Sequence, residues 1–312
     1  MMNASGARIA EYVIQDEVPA RSTELAYRTT HRVLPRCARV AILSPAFVGA
    51  RLAEVQLMRE ACILEMLHHS GVPRVFECGV LEHRPWIATE YIDGASIGQA
   101  TAERPLAIGE ALAILRDAAD VLAHAHHRGV VHRNLTPGAI VRTPARGFPI
   151  CITGWGDASI HEAAIPQIIH ASSRRYRAPE LATDSGADGR ADVFALGAVM
   201  FEAVTRVLPP EPIRQVPGLA ASPYRLLESM LSPRPEDRPT ARSVHAEAER
   251  LAEVFCDGDG AIEEVEVELV DISQLPQQMS RLGWMPTDRL PVLPGPPGPP
   301  IESIRRKVPR SP

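Results

Sequence analysis

The stretch Val130-Val131-His132-Arg133-Asn134-Leu135-Thr136-Pro137-Gly138-Ala139-Ile140 sets an imidazole, a guanidinium, an amide and a hydroxyl close together on the chain. The chemistry open to it is narrow. Asn134 is an uncharged amide and cannot accept the proton of a substrate hydroxyl, and the methyl group of Ala139 cannot hold a magnesium ion. His124, His126 and His127, with His132, have the look of a zinc cluster, yet no carboxylate or thiol joins them at a ligand spacing. Asp257-Gly258-Asp259-Gly260 is a turn signal, too short and wrongly spaced for a calcium loop. Lys307 is the only lysine; every other one of the 33 basic residues is arginine, whose planar fork does not reproduce a compact ammonium.

The elements that must position these residues follow from periodicity. Short apolar runs at 12–14, 24–29, 38–43, 75–81 and 86–91 predict strands. One helix interrupts them at 50–67, where Leu52, Val55, Leu57, Met58, Ala61, Ile63, Leu64 and Leu67 recur near helical period. A mostly helical part follows from 97 to 255, with amphipathic stretches at 108–127, 192–205 and 241–255. Residues 256–312 differ in kind. An alternating Glu/Val run at 263–270 reads as a single strand, and Pro294-Gly295-Pro296-Pro297-Gly298-Pro299-Pro300 favours polyproline II. The organisation expected is a leader at 1–10, a domain at 11–255 divided near 91/92, and a largely disordered tail at 256–312.

Composition narrows the setting. The 312 residues are 45% hydrophobic and 23% charged, enough for a buried core, and a formal charge of -5 points neither to nucleic acid nor to anionic lipid. No apolar run reaches the roughly 18 residues of a membrane span. The five cysteines form no Cys-x-x-Cys pair, so a cytoplasmic chain with reduced thiols is expected.

Three further motifs give the order of a known family. Tyr176-Arg177-Ala178-Pro179-Glu180 resembles the Ala-Pro-Glu that closes an activation segment, Ala191-Asp192-Val193-Phe194-Ala195-Leu196-Gly197 the start of a central buried helix, and Pro235-Glu236-Asp237-Arg238-Pro239 a late arginine motif. With the loop at 130–140, they make the chain similar to the bacterial-type Ser/Thr protein kinases over about 12–251. The resemblance implies an α+β bilobal fold, with a small β-rich N-lobe holding one main helix and a larger, mostly helical C-lobe. It also implies a buried Glu180–Arg238 pair and structural roles for His126 and His132.

Laid on that pattern, the functional positions depart one after another. Asn134 stands for the catalytic aspartate, Thr136 for the lysine that faces the transferred phosphate, and Ala139 for the metal-binding asparagine. The three glycines that cover the phosphates fall at Pro19, Arg21 and Glu24; Pro19 has no N–H, and Glu24 brings negative charge towards anionic oxygens. The phosphate-pairing lysine falls at Ala41, or at Leu43 with a two-residue insertion. Glu60 matches the glutamate that would bridge to it, and reads equally as an ordinary solvated helix residue. Gly154 replaces the metal-binding aspartate, and Trp155 reads as a core plug between the lobes. Arg21 or Arg39 could still contact a phosphate.

The expectation is a chain that is not an enzyme: a pseudokinase acting as a regulatory or scaffolding module, with no catalytic, cofactor or metal residues intact. No cofactor is expected, weak metal-independent nucleotide binding staying open. The partners expected are proteins, an active kinase or a kinase substrate. An atypical or residual phosphotransferase and a nucleotide or small-molecule sensor are the alternatives. Arg133 could order a phosphorylated segment through Ser172 or Ser173, or could only brace its loop. The Pro-rich tail could dock into an aromatic-lined groove or be a solvated linker.

Overall fold

A computed structural model describes residues 6–160, 173–182, 188–210 and 219–256. The tail at 257–312 and Ser172 lie outside them.

The small lobe is a six-stranded antiparallel sheet: β1 (Arg8–Ile9), β2 (Tyr12–Val18), β3 (Glu24–His31), β4 (Cys37–Leu43), β5 (Val75–Leu81) and β6 (Arg84–Glu90). Their order is β1-β2-β3-β4-β6-β5. Side chains alternate across a strand, so each central strand serves two faces. Val40 and Ile42 of β4 pack with Ile9, Tyr12, Ile14, Trp86 and Ala88 on one face. Ala41 and Leu43 point the other way, joining Ala26, Ile87 and the main core. Arg8–Ile9, which the sequence reading leaves in the leader, pairs with Tyr12 and Val13 because Ile9 has that outer cluster to enter.

The single main helix of this lobe, α1 (Arg51–Met66), buries Ala53, Gln56, Leu57, Glu60, Ala61, Ile63 and Leu64. The spacing is that of one helix face. Two polar residues, Gln56 and Glu60, lie on this face, and both have partners described below.

The large lobe begins with the short α2 (Ile97–Ala100), held by a Ser96–Gln99 capping box, and the long α3 (Ile108–His127). Small strands β7 (Val130–Val131), β8 (Ile140–Arg142), β9 (Ile150–Ile152) and β10 (Ser159–Ile160) follow. Then come α4 (Arg190–Thr205), α5 (Ala221–Met230) and α6 (Ala241–Cys256). α4 is apolar nearly all round, burying Ala191 to Val193, Ala195 to Phe201 and Ala203, as a core helix must. α5 escaped the sequence reading; its Pro223 sits in the first turn, where a missing N–H costs nothing. The fold is the expected α+β bilobal arrangement. Among the described residues, no helix is long and apolar enough to cross a membrane.

Candidate functional site at the lobe junction

The loop after β7 is held from beneath by one carboxylate. Asp192, in the first turn of α4 and fully buried, accepts the backbone N–H of His132 at 2.8 Å and of Arg133 at 2.7 Å. It also bonds the His126 ring at 2.8 Å. Burial alone would push its carboxyl up; the His126 bond and the neighbouring imidazoles outweigh this and hold it below the usual carboxylate range. These bonds fix Arg133 at φ +66°, a left-handed conformation that a non-glycine residue adopts at a cost.

His132 is fully buried, bonds the Thr153 carbonyl oxygen at 3.0 Å and meets the Trp155 ring edge-on at 4.6 Å. Burial pushes its imidazole below the ordinary value, favouring the neutral form. Trp155, itself fully buried, donates to the Ile152 carbonyl at 2.8 Å, and is the plug expected. The four histidines considered as a metal cluster are dispersed. His126 goes to Asp192 and His132 to Thr153, while His124 stands beside His69 and Arg128.

Asn134 is not idle. Its Nδ2 donates to Oδ2 of Asp157 at 2.7 Å, and Nε2 of Gln56, from α1, donates to Oδ1 of the same carboxylate at 2.7 Å. Asp157 is buried and ends the 3-10 turn Trp155–Asp157, which is entered through Gly154 at φ +81°. Sequence reasoning missed Asp157 because it stopped at the vacancy of Gly154, three residues earlier. The available signal was a lone acid just after a strand and a glycine.

A second charge centre lies in the small lobe. Nη2 of Arg21 donates to Oε2 of Glu24 at 2.7 Å and to Oε2 of Glu60 at 2.5 Å, and Arg39 reaches Oε1 of Glu24 at 2.9 Å. The Arg21 guanidinium presses on Gly156: a Cβ on that glycine would stand 1.3 Å from Nη1. Burial would lower the Arg21 pKa, but the charges of Glu60 and Glu24 raise it well above the ordinary value. Burial would raise that of Glu24, but Arg21 and Arg39 pull it well below.

Two expectations change here. Glu60 is neither solvated nor without a partner: it is buried and accepts from Arg21 of the β2–β3 turn. Glu24 does not face the cleft as a bare negative charge, because two guanidiniums compensate it. The β3–β4 register sets Ala41 opposite Ala26 and Leu43 opposite Glu24, and both candidate lysine positions are buried and apolar. Pro19 lies in the same turn as Arg21, and Thr136 in the loop that carries Asn134.

Farther out, Ala178 is buried and Pro179–Ala182 forms a 3-10 turn. Arg238 grips Glu180 with both prongs, at 2.6 and 3.0 Å. It also donates to the carbonyls of Ser232, Arg190 and Pro233 and stacks on Phe194 at 4.8 Å. A bidentate pair with its remaining donors satisfied is what a buried ion pair requires. Ser173 opens the turn Ser173–Tyr176.

A protein kinase domain model matches residues 49–248. The chain belongs to the protein kinase family. It is 31% identical over 199 residues to the Ser/Thr-protein kinase PknI of Mycobacterium tuberculosis, covering 63% of this chain and 32% of that one. To Pkn1 of Myxococcus xanthus it is 30% identical over 202 residues, covering 57% of this chain and 29% of that one. The chain thus spans about a third of the length of these curated relatives. The crystal structure of the M. tuberculosis PknI kinase domain superposes with a TM-score of 0.62 at 26% identity, covering 79% of this chain and 98% of that one.

These likenesses overturn the expectation that the chain is not an enzyme, since its relatives are named as Ser/Thr protein kinases. The physical reason for the error is visible in the site. Matching residues to fixed positions weighs Arg21 as a phosphate contact but leaves out Asp157, a buried carboxylate three residues beyond Gly154.

The family implies magnesium beside its nucleotide. The donor set does not fit that ion. Ala139 and Gly154 carry no side-chain oxygen, and both oxygens of Asp157 already accept hydrogen bonds from amides. Among the described residues, no three His, Cys, Asp or Glu side chains form a metal-holding group.

Proposed function

We propose that the domain is a cytoplasmic Ser/Thr protein kinase-type phosphotransferase acting on protein hydroxyls, with Arg21 and Asp157 as the charged groups of its centre. The observation that carries this reading is the Arg21–Glu60 bridge. A working kinase needs a cation on its small lobe bonded to the glutamate of the lobe's helix. Here a guanidinium meets that need from a different strand connection. It orders α1 against the cleft and puts positive charge where phosphate oxygens would lie. Asp157, fixed between Asn134 and Gln56, offers the carboxylate for the hydroxyl proton.

The test is transfer of labelled γ-phosphate to the chain itself and to generic protein substrates. Glu60→Gln and Asp157→Asn should each lower the rate about 10²–10³-fold, as removal of one electrostatic group does. No labelled product from the unaltered chain, with or without metal, sinks the reading.

A regulatory or scaffolding role towards protein partners, an active kinase or a kinase substrate, is the second reading. It is favoured by the intact Asp192 and Glu180–Arg238 framework beside a cleft so far from the family pattern. Cross-linking and affinity capture with co-expressed kinases would test it; capture that survives removal of 256–312 would rule out docking through the tail.

A further inference from the structure

We propose that the cleft takes nucleoside phosphates without a divalent cation, the Arg21 guanidinium standing where the metal's charge would be. The proposal takes its ligand class from the phosphotransferase reading and adds the identity of the counter-charge.

Three observations converge on it. First, the positions that would carry metal ligands cannot do so: Ala139 and Gly154 have no side-chain oxygen. Asp157 accepts the amides of Gln56 and Asn134, each at 2.7 Å, and no second side-chain oxygen joins it from Ala139 or Gly154. Magnesium demands near-ideal octahedral oxygen geometry and gives up water reluctantly, so a lone carboxylate without the family's other oxygen ligand is a poor site for it.

Second, three guanidiniums stand in the region, each matched by a carboxylate of Glu24, Glu60 or Asp157. Arg21 and Arg59 both act electrostatically on Asp157, and Arg39 stands behind Glu24. A polyphosphate that shares the Arg21 guanidinium with Glu24 and Glu60 takes from it the charge a metal would otherwise supply. The planar fork of arginine suits phosphate oxygens.

Third, Arg21 is held ready without being used up. Its Nε and Nη2 are engaged by Glu24 and Glu60, which fix its direction. Its Nη1, buried over Gly156, has no hydrogen-bond partner among the described residues. A buried donor left unpaired costs free energy until a ligand satisfies it. Glycine at 156 keeps the space for that nitrogen, since a Cβ there would collide with it.

The experiment is thermal shift and calorimetric titration of the full chain with ATP and ADP, once in EDTA and once in excess magnesium. Electron paramagnetic resonance of added Mn²⁺ serves as a direct metal probe. Equal stabilisation in both buffers, with a Mn²⁺ signal that the protein leaves unchanged, is the expected result. Arg21→Ala should weaken nucleotide binding about 10-fold or more. Because it also strips Glu60 and Glu24 of their partner and could fail to fold, the double variant Ala139→Asn/Gly154→Asp provides a second arm. Restoring two oxygen ligands should make nucleotide binding tighten on addition of magnesium.

A nucleotide shift that appears only with magnesium, or stoichiometric Mn²⁺ capture by the unaltered chain, overturns the proposal and leaves the phosphotransferase reading standing. No shift with either nucleotide in either buffer overturns both. Insensitivity of the double variant to magnesium also counts against it, by showing that those two positions do not govern metal uptake.

Discussion

The Glu180–Arg238 corner and the Arg21–Glu24–Glu60 cluster are both buried charge networks, yet one is anchored on backbone carbonyls and the other is built from side chains. Arg238 has most of its bonds to backbone carbonyls of its own neighbourhood, at Ser232, Pro233 and Arg190. Backbone partners cannot be mutated away, so no other side chain can take over the position. Among the described residues, the charged groups of Arg21, Arg39, Glu24 and Glu60 are joined to one another rather than to backbone.

Breaking the anchored network should be the costlier act. Arg238→Ala leaves Glu180 without its bidentate partner and strands three carbonyls, and should lose about 3–5 kcal/mol in urea denaturation. A loss below about 1 kcal/mol would erase the contrast between the two regions.

The cleft network can be probed by crowding. Gly156→Ala forces the Arg21 guanidinium from its seat and should cost about 1–3 kcal/mol, as overpacking does. Repeating it in an Arg21→Ala background should recover most of that cost, because the obstructing atoms are gone. Equal costs in the two backgrounds would show that the contact does not hold the cluster together.

Acid should produce the mildest change near neutrality, with a defined sign. The folded-state pKa of His132 is depressed, so the unfolded chain takes up its proton first. Its contribution is whole above the ordinary imidazole value of about 6.5 and is lost as pH falls through that value towards the folded one. Asp192 and Glu24 are depressed carboxylates; their contributions are whole above about pH 4 and are lost below it. Tm measured from pH 8 downwards should decline gently below about 6.5 and steeply below about 4. A Tm that rises on acidification contradicts the buried neutral imidazole.

Much of the framework was legible in the sequence. The loop of His132 and Arg133, the turn of Ala178 to Glu180, the acid of Asp192 and the late Arg238 each belong to a short motif whose order survives. Local periodicity also marked the strands and α1. The charge cluster was not legible in the same way. Gln56 and Asp157 lie 101 positions apart, and Arg21 and Glu60 lie 39 apart. Nothing in the spacing of either pair announces a partner, and matching residues to fixed positions hides a group that arrives from elsewhere.

By itself, then, the sequence determined the lobes, their order and the residues that brace them, because those depend on local pattern and backbone hydrogen bonding. Which groups meet in the cleft was decided only by the tertiary structure. The packing of α1 against the sheet and against the turn of Trp155–Asp157 lets one arginine and one aspartate reach the centre, and side-chain reach in three dimensions has no counterpart in distance along the chain.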